Sequence, residues 1–316
     1  MKPLPIAAAA FAVASPAMAD IDPLVSPVEL AEMLDTEPPL VIDIRPPKAP
    51  EDEASRTGYA SGHIPLAVNA PYGRFRGPED NPGQVPDDEA LTELLRELGV
   101  TGDRPIVVAH QGRDATDFGA AARVYWTLKS SGLGELAILN GGVDAWTAAG
   151  FELSTEQPRP EPSAITVSLS DEWRATAEDV QAVIGGARDG LLLDARPESF
   201  WAGDASHPAA ARPGTLPQSE YFEHANWFGS GPAIVDAEAA RRLADGRGLG
   251  EADRIVSFCN TGHWAATNWF ALSELAGLDD VTLYPASMVG WSNAGHEMAN
   301  VPGPLRTLWS QVRNVF

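Results

Sequence analysis

Short runs of apolar residues alternate with longer segments of helical spacing along most of the chain. Ile106–Ala109 and Ile255–Phe258 are continuously apolar and bounded by turn residues, the pattern of strands covered on both faces. Residues 120–129 and 265–276 follow with helical periodicity, and Gly132 and Gly277 stand where C-terminal caps are expected. Residues 136–139 and 281–284 then return to strand character. This succession predicts an α/β fold in which each mainly parallel sheet has helices on both faces. Ligands of such sheets collect where strand ends lead into helices.

The pattern occurs twice. Leu40-Val41-Ile42-Asp43-Ile44-Arg45-Pro46 corresponds to Leu191-Leu192-Leu193-Asp194-Ala195-Arg196-Pro197, and Ile106-Val107-Val108-Ala109-His110 to Ile255-Val256-Ser257-Phe258-Cys259. Val124-Tyr125-Trp126 and Ala145-Trp146 match Trp269-Phe270-Ala271 and Gly290-Trp291 at a smaller offset, so the halves differ most in the loop after the central strand. Residues 154–166 are rich in Pro, which stiffens the backbone and removes donors, and they read as a linker. The expected organisation is a domain over 20–153, this linker, a second domain over 167–300, and a tail over 301–316 with apolar residues at helical spacing.

Composition narrows the chemistry. The 316 residues carry 22 Lys+Arg against 44 Asp+Glu, a net charge of −22, which disfavours nucleic acid and anionic lipid as partners. Residues 1–19 combine Met1-Lys2, a short apolar stretch and Ala17-Met18-Ala19 ahead of Asp20. That is the layout of a signal peptide cleaved after Ala19, and the expected location is a bacterial periplasm. No later stretch suits a membrane helix. The histidines His63, His110, His207, His224 and His296 show no metal-ligand spacing, so no metal is expected, and no cofactor is expected either. His63 is expected to hold a loop by hydrogen bonding.

The single cysteine, Cys259, directly follows the strand Ile255–Phe258, and Asn260-Thr261-Gly262-His263-Trp264 leads into the next helix. A tight turn between a strand end and a helix start aims backbone N–H groups at one spot, which favours a thiolate. A lone thiol in an oxidising compartment is a liability unless it is used.

These features together resemble the tandem-domain rhodaneses, the thiosulfate and 3-mercaptopyruvate sulfurtransferases. The resemblance rests on the paired Asp43-Ile44-Arg45 and Asp194-Ala195-Arg196, on Gly62-His63-Ile64-Pro65, and on Asn140-Gly141-Gly142-Val143-Asp144-Ala145-Trp146. Cys259-Asn260-Thr261-Gly262-His263-Trp264-Ala265 is similar to the family's C-x-x-G-x-x-A active loop. The resemblance implies that Cys259 takes the sulfane sulfur of a small anionic donor as a persulfide and passes it to cyanide, a thiol or a protein acceptor. It implies that the amides of Asn260 through Ala265 stabilise the negative sulfur. Arg196 matches the arginine that holds the donor, and a structural ion pair with Asp194 is its competing role. Arg212, in an Arg212-Pro213-Gly214 segment where Ala211 replaces the family's histidine, is the second candidate for binding the donor. His110 and Gln111 fall where the cysteine would be in the first half, so that domain is expected to be catalytically silent and to wall an interdomain cleft.

His263 and Trp264 depart from both donor subgroups of the family. An imidazole here suits a proton relay or a thiolate partner, and Trp264 suits the wall of a pocket. Thiosulfate is the expected donor on grounds of compartment, with 3-mercaptopyruvate and a non-catalytic persulfide carrier as alternatives. A cysteine phosphatase is disfavoured, because Phe258 and Ala266 occupy positions where its loop needs His and Arg.

Overall fold

The structure is a computed structural model, described over residues 21–48 and 58–303. The expected signal peptide and nearly all of the tail lie outside the described residues.

The first domain begins with β1 (Leu24–Val25), α1 (Pro27–Thr36), β2 (Leu40–Asp43), β3 (Val68–Asn69) and α2 (Asp88–Glu97). It continues with β4 (Ile106–Ala109), α3 (Ala115–Ser130), β5 (Leu136–Leu139) and α4 (Gly142–Ala148). The five strands form one parallel sheet in the order β1-β5-β4-β2-β3. The second domain repeats the order: α5 (Ala177–Ile184), β6 (Leu191–Asp194), α6 (Glu198–Trp201), β7 (Glu220–Tyr221), α7 (Ala237–Gly246) and β8 (Ile255–Phe258). Then come α8 (Trp264–Phe270), β9 (Val281–Leu283) and α9 (Ser287–Asn293). Its parallel sheet runs β7-β6-β8-β9, and a single bridge from Arg174 to Leu283 stands where β1 pairs in the first sheet. Strands β2, β4, β5 and β8 are buried at every position, as parallel strands covered on both faces must be.

Two helices differ from the sequence expectation. Helix α3 starts at Ala115 rather than near residue 120, because the Asp114 carboxylate accepts the amides of Thr116 and Asp117 and caps an extra turn. Helix α8 begins at Trp264, and past Phe270 the chain widens into a π-helical turn, Ala271–Leu275. The linker is extended and clings to the first domain: Ser154 pairs with His63, and the Arg96 side chain donates to the Ile165 carbonyl at 2.6 Å. His63 faces the carbonyls of Tyr59 and Glu156 with its two ring nitrogens, tying this segment down.

Helix α3 is apolar around most of its circumference because it is buried between its own sheet and α8 of the other domain. Phe118 and Tyr125 meet Phe270 edge-on at 5.6 and 5.0 Å between ring centroids. At the far end, Lys129 pairs with Glu274 at 2.7 Å and the Tyr125 hydroxyl donates to the same carboxylate. One apolar cluster therefore runs through both domains. Because α3 and α8 each follow the loop after a central strand, their packing brings the two loops face to face.

Candidate active site

Cys259 sits at the end of β8 and is 1 % exposed. Its loop is braced from the β9–α9 corner. Ser287 Oγ accepts the amides of Cys259 (3.0 Å) and Gly262 (3.2 Å) and donates to the Tyr284 carbonyl (2.7 Å). The amides of Met288 and Val289 donate to the carbonyls of Cys259 and Asn260. The first domain carries the same brace, where Val143 and Asp144 donate to His110 and Gln111. Ser287 adopts φ +49°, and its counterpart there is Gly142 at φ +63°. The Gly262 amide is thus committed to Ser287, and the expected amide cradle for the sulfur loses that member.

Gly262 itself is required. Its φ is +67°, and a Cβ would lie 2.3 Å from a nitrogen of Arg123 and 2.8 Å from the Pro285 carbonyl oxygen. Arg123 comes from α3 of the first domain, is fully buried, and donates to the carbonyls of Gly262 (3.2 Å), Thr261 (3.5 Å) and Gly83 (2.9 Å). Burial, and then the repulsion of Arg76, lower its pKa to about 10, so it remains a cation at neutral pH.

A cavity of about 200 Å³ opens beside the thiol, lined by Cys259, Asn260, Thr261, His263, Trp264, His207 and, from the first domain, Thr116. His263 Nε2 donates to the Thr116 carbonyl at 2.8 Å, which fixes the tautomer and leaves Nδ1 to accept from the Tyr72 hydroxyl at 2.9 Å. The Tyr72 oxygen in turn accepts from Arg76. Burial, and then Arg76, push the His263 pKa down to about 3, so the ring is neutral and both nitrogens are bonded to the first domain. His263 is a clamp between domains, and the expected free imidazole for proton relay is not there. Trp264 donates to Thr116 Oγ1 at 3.2 Å and stacks on His224 with ring centroids 4.9 Å apart, forming one wall of the cavity. His207 accepts the Ala209 amide on Nδ1, which leaves Nε2 as its donor.

The two expected donor-binding arginines are placed differently. Arg196 is 2 % exposed and lies fork-to-fork on Asp194, with further bonds to the Gly214 carbonyl and Asn260 Oδ1. Arg45 makes the same set in the first domain, with Asp43, Gly62 and Gln111. The same bonds are kept in the half without a cysteine, which is the pattern of the structural ion pair expected as the competing role of Arg196. Arg212 is exposed and donates to the His296 carbonyl, outside the cavity. The same bonds align Gly62 with Gly214, so Thr215, and not Ala211, stands in the place of His63.

The equivalent site of the first domain is a neighbouring cavity of about 260 Å³ that shares His263 and Thr116 with the first. His110 occupies the cysteine's place, 1 % exposed, with its pKa lowered to about 4 by burial against the pull of Asp117 and the Leu139 carbonyl. The loop amides there are taken by the chain's own carboxylates, Asp114 on Thr116 and Asp117, and Asp117 on Arg113. Among the described residues no group of three or more His, Cys, Asp or Glu could hold a metal, and no helix is long and apolar enough to cross a membrane.

Sequence reasoning missed Thr116, Tyr72, Arg76, Arg123, His207 and Ser287. For Ser287 a signal existed, since the second-half offset places it on Gly142. The others depend on packing between domains or on the path of one loop.

Two parallel α/β domains, one with a cysteine on a braced strand-to-helix loop and one without, make up the scaffold. The rhodanese-like domain family matches residues 26–149 and 176–294, and the chain belongs to that family. It is 30% identical over 276 residues to a thiosulfate sulfurtransferase of Pseudomonas aeruginosa, covering 87% of this chain and 95% of that protein. It is 28% identical over 245 residues to the sulfur carrier protein TtuD of Thermus thermophilus, covering 74% and 84%. Among solved structures, EanB in complex with ergothioneine shares the fold at a TM-score of 0.75 and 19% identity, over 89% of this chain and 71% of that one.

Proposed function

We propose that the protein is a thiosulfate sulfurtransferase that works through a persulfide on Cys259, after export to the periplasm. The observation that carries this reading is the single cysteine lining a small interdomain cavity on a loop braced through Ser287. The thiolate attacks the outer sulfur of thiosulfate; the new S–S bond forms as the old one breaks, and sulfite leaves with the electron pair. Cyanide or a thiol then takes the outer sulfur and regenerates the thiolate. The name of the Pseudomonas aeruginosa relative supports thiosulfate as donor.

Intact mass of the purified protein after brief incubation with thiosulfate tests it. Gain of one sulfur with release of sulfite, absent in Cys259→Ser, is the expected result, and a chain starting at Asp20 would support export. Loading by 3-mercaptopyruvate alone would move the donor assignment. No loading by either would favour a carrier charged by a partner protein.

A further inference from the structure

We propose that the cation holding the anionic end of the sulfur donor is Arg76, supplied by the first domain. The inference rests on the sulfurtransferase reading and names the charge that reading needs. A chain at −22 repels an anion at long range, so the site must create positive potential locally. The two expected second-domain candidates do not offer it: Arg196 is held fork-to-fork by buried Asp194 with further bonds to Gly214 and Asn260, and Arg212 is exposed and turned to the His296 carbonyl.

Arg76 follows the turn Tyr72–Phe75 and folds back over Tyr72, with its guanidinium carbon 5.1 Å from the ring centroid and one nitrogen donating to the hydroxyl. That hydroxyl is bonded to His263, a wall of the Cys259 cavity, so Arg76 stands one residue back from the lining rather than in it. His207, another wall, also feels the Arg76 charge, which adds to burial in lowering its pKa. Arg76 is half-buried, and among the described residues no carboxylate pairs with it. Arg45, Arg74, Arg113, Arg174, Arg188, Arg196, Arg242 and Arg254 all have acidic partners. Arg123 also lacks an acid, but its terminal nitrogens are committed to loop carbonyls, so it braces the loop and adds field. Arg76 spends one N–H on Tyr72 and keeps the rest of a fork suited to a sulfonate or carboxylate next to the reactive sulfur. Partial burial strengthens that attraction relative to open water.

The test is steady-state kinetics with thiosulfate and cyanide for wild type, Arg76→Gln, Arg76→Lys and Tyr72→Phe. Loss of a charge-assisted hydrogen bond predicts that Arg76→Gln raises the thiosulfate KM about tenfold or more, with kcat changed less than about threefold. Arg76→Lys should fall between, and log kcat/KM of Arg76→Gln should decline less steeply with added NaCl than that of wild type. An unchanged KM and salt slope in Arg76→Gln would overturn the proposal. So would a KM in Arg76→Lys as high as that of Arg76→Gln, because the lysine restores the charge; Tyr72→Phe, which keeps the guanidinium but removes its anchor together with the link to His263, should raise KM less than Arg76→Gln. If wild type takes no sulfur from thiosulfate, the donor assignment has failed and not the placing of Arg76. The same comparison is then made with 3-mercaptopyruvate, whose carboxylate needs the same cation.

Discussion

Ser287 does two things that conflict in most residues: it sits at φ +49°, where glycine is favoured, and it uses its hydroxyl as a double acceptor under the cysteine loop. The glycine at the equivalent place in the first domain has the conformation without the hydroxyl, and no cysteine depends on it. Replacing Ser287 with Ala leaves two buried N–H groups unpaired, at a cost of about 1–3 kcal/mol. Ser287→Ala should therefore lower the melting temperature by several degrees and slow sulfur loading of Cys259 about tenfold or more. Ser287→Gly relieves the backbone but leaves the same two N–H groups unpaired, so it should recover only part of the stability and none of the loading rate. Loading by Ser287→Ala at the wild-type rate, followed by mass spectrometry, would show that the brace is irrelevant to chemistry. At this scale Cys259 was legible because a strand, a tight turn and a helix are local in sequence. Arg196 was open between two roles, and Arg45, which makes matching bonds in the cysteine-free half, favours the structural one. Tyr72 and Thr116 were not legible, since each meets His263 across well over a hundred residues.

Among the elements, α3 does most to shape the site. Its strand partners and its capping glycine were evident from periodicity, but its start was not, because Asp114 reads as one more acidic loop residue until its oxygen is seen on two amides. Equally hidden was the reason for Gly119 in mid-helix, where glycine costs about 1 kcal/mol relative to alanine. A Cβ there would lie 3.0 Å from the His263 ring and 3.3 Å from Thr267 Oγ1, so the gap lets the His263 clamp close against α3. Gly119→Leu should force the ring off Thr116, costing about 1–3 kcal/mol as an overpacked contact. The expected readout is a lower melting temperature together with a fall in kcat/KM, whereas Leu at this site would be a gain in an isolated helix. A variant as stable and as active as wild type would mean that the loops do not depend on this close approach.

For the molecule as a whole, the duplication was fully readable in the sequence, and the dependence of one half on the other was not. Repeated motifs report that two domains share an ancestry of pattern; they say nothing about which faces meet. Here the apolar cluster continues from Phe118 and Tyr125 into Trp269 and Phe270, and buried Arg123 crosses to hold Thr261 and Gly262. Removing the first domain would expose that apolar face and leave the loop carbonyls without their cation, so neither half has a complete core alone. The two domains should consequently unfold as one unit. Calorimetry at neutral pH is expected to give a single transition whose calorimetric and van't Hoff enthalpies agree. Two resolved transitions, with Cys259 still loading sulfur after the first domain has melted, would mean that the catalytic half is self-sufficient and that Arg123 and Tyr72 are bystanders. A single transition that carries the loading activity with it ties the chemistry of one cysteine to the fold of the domain that lacks one.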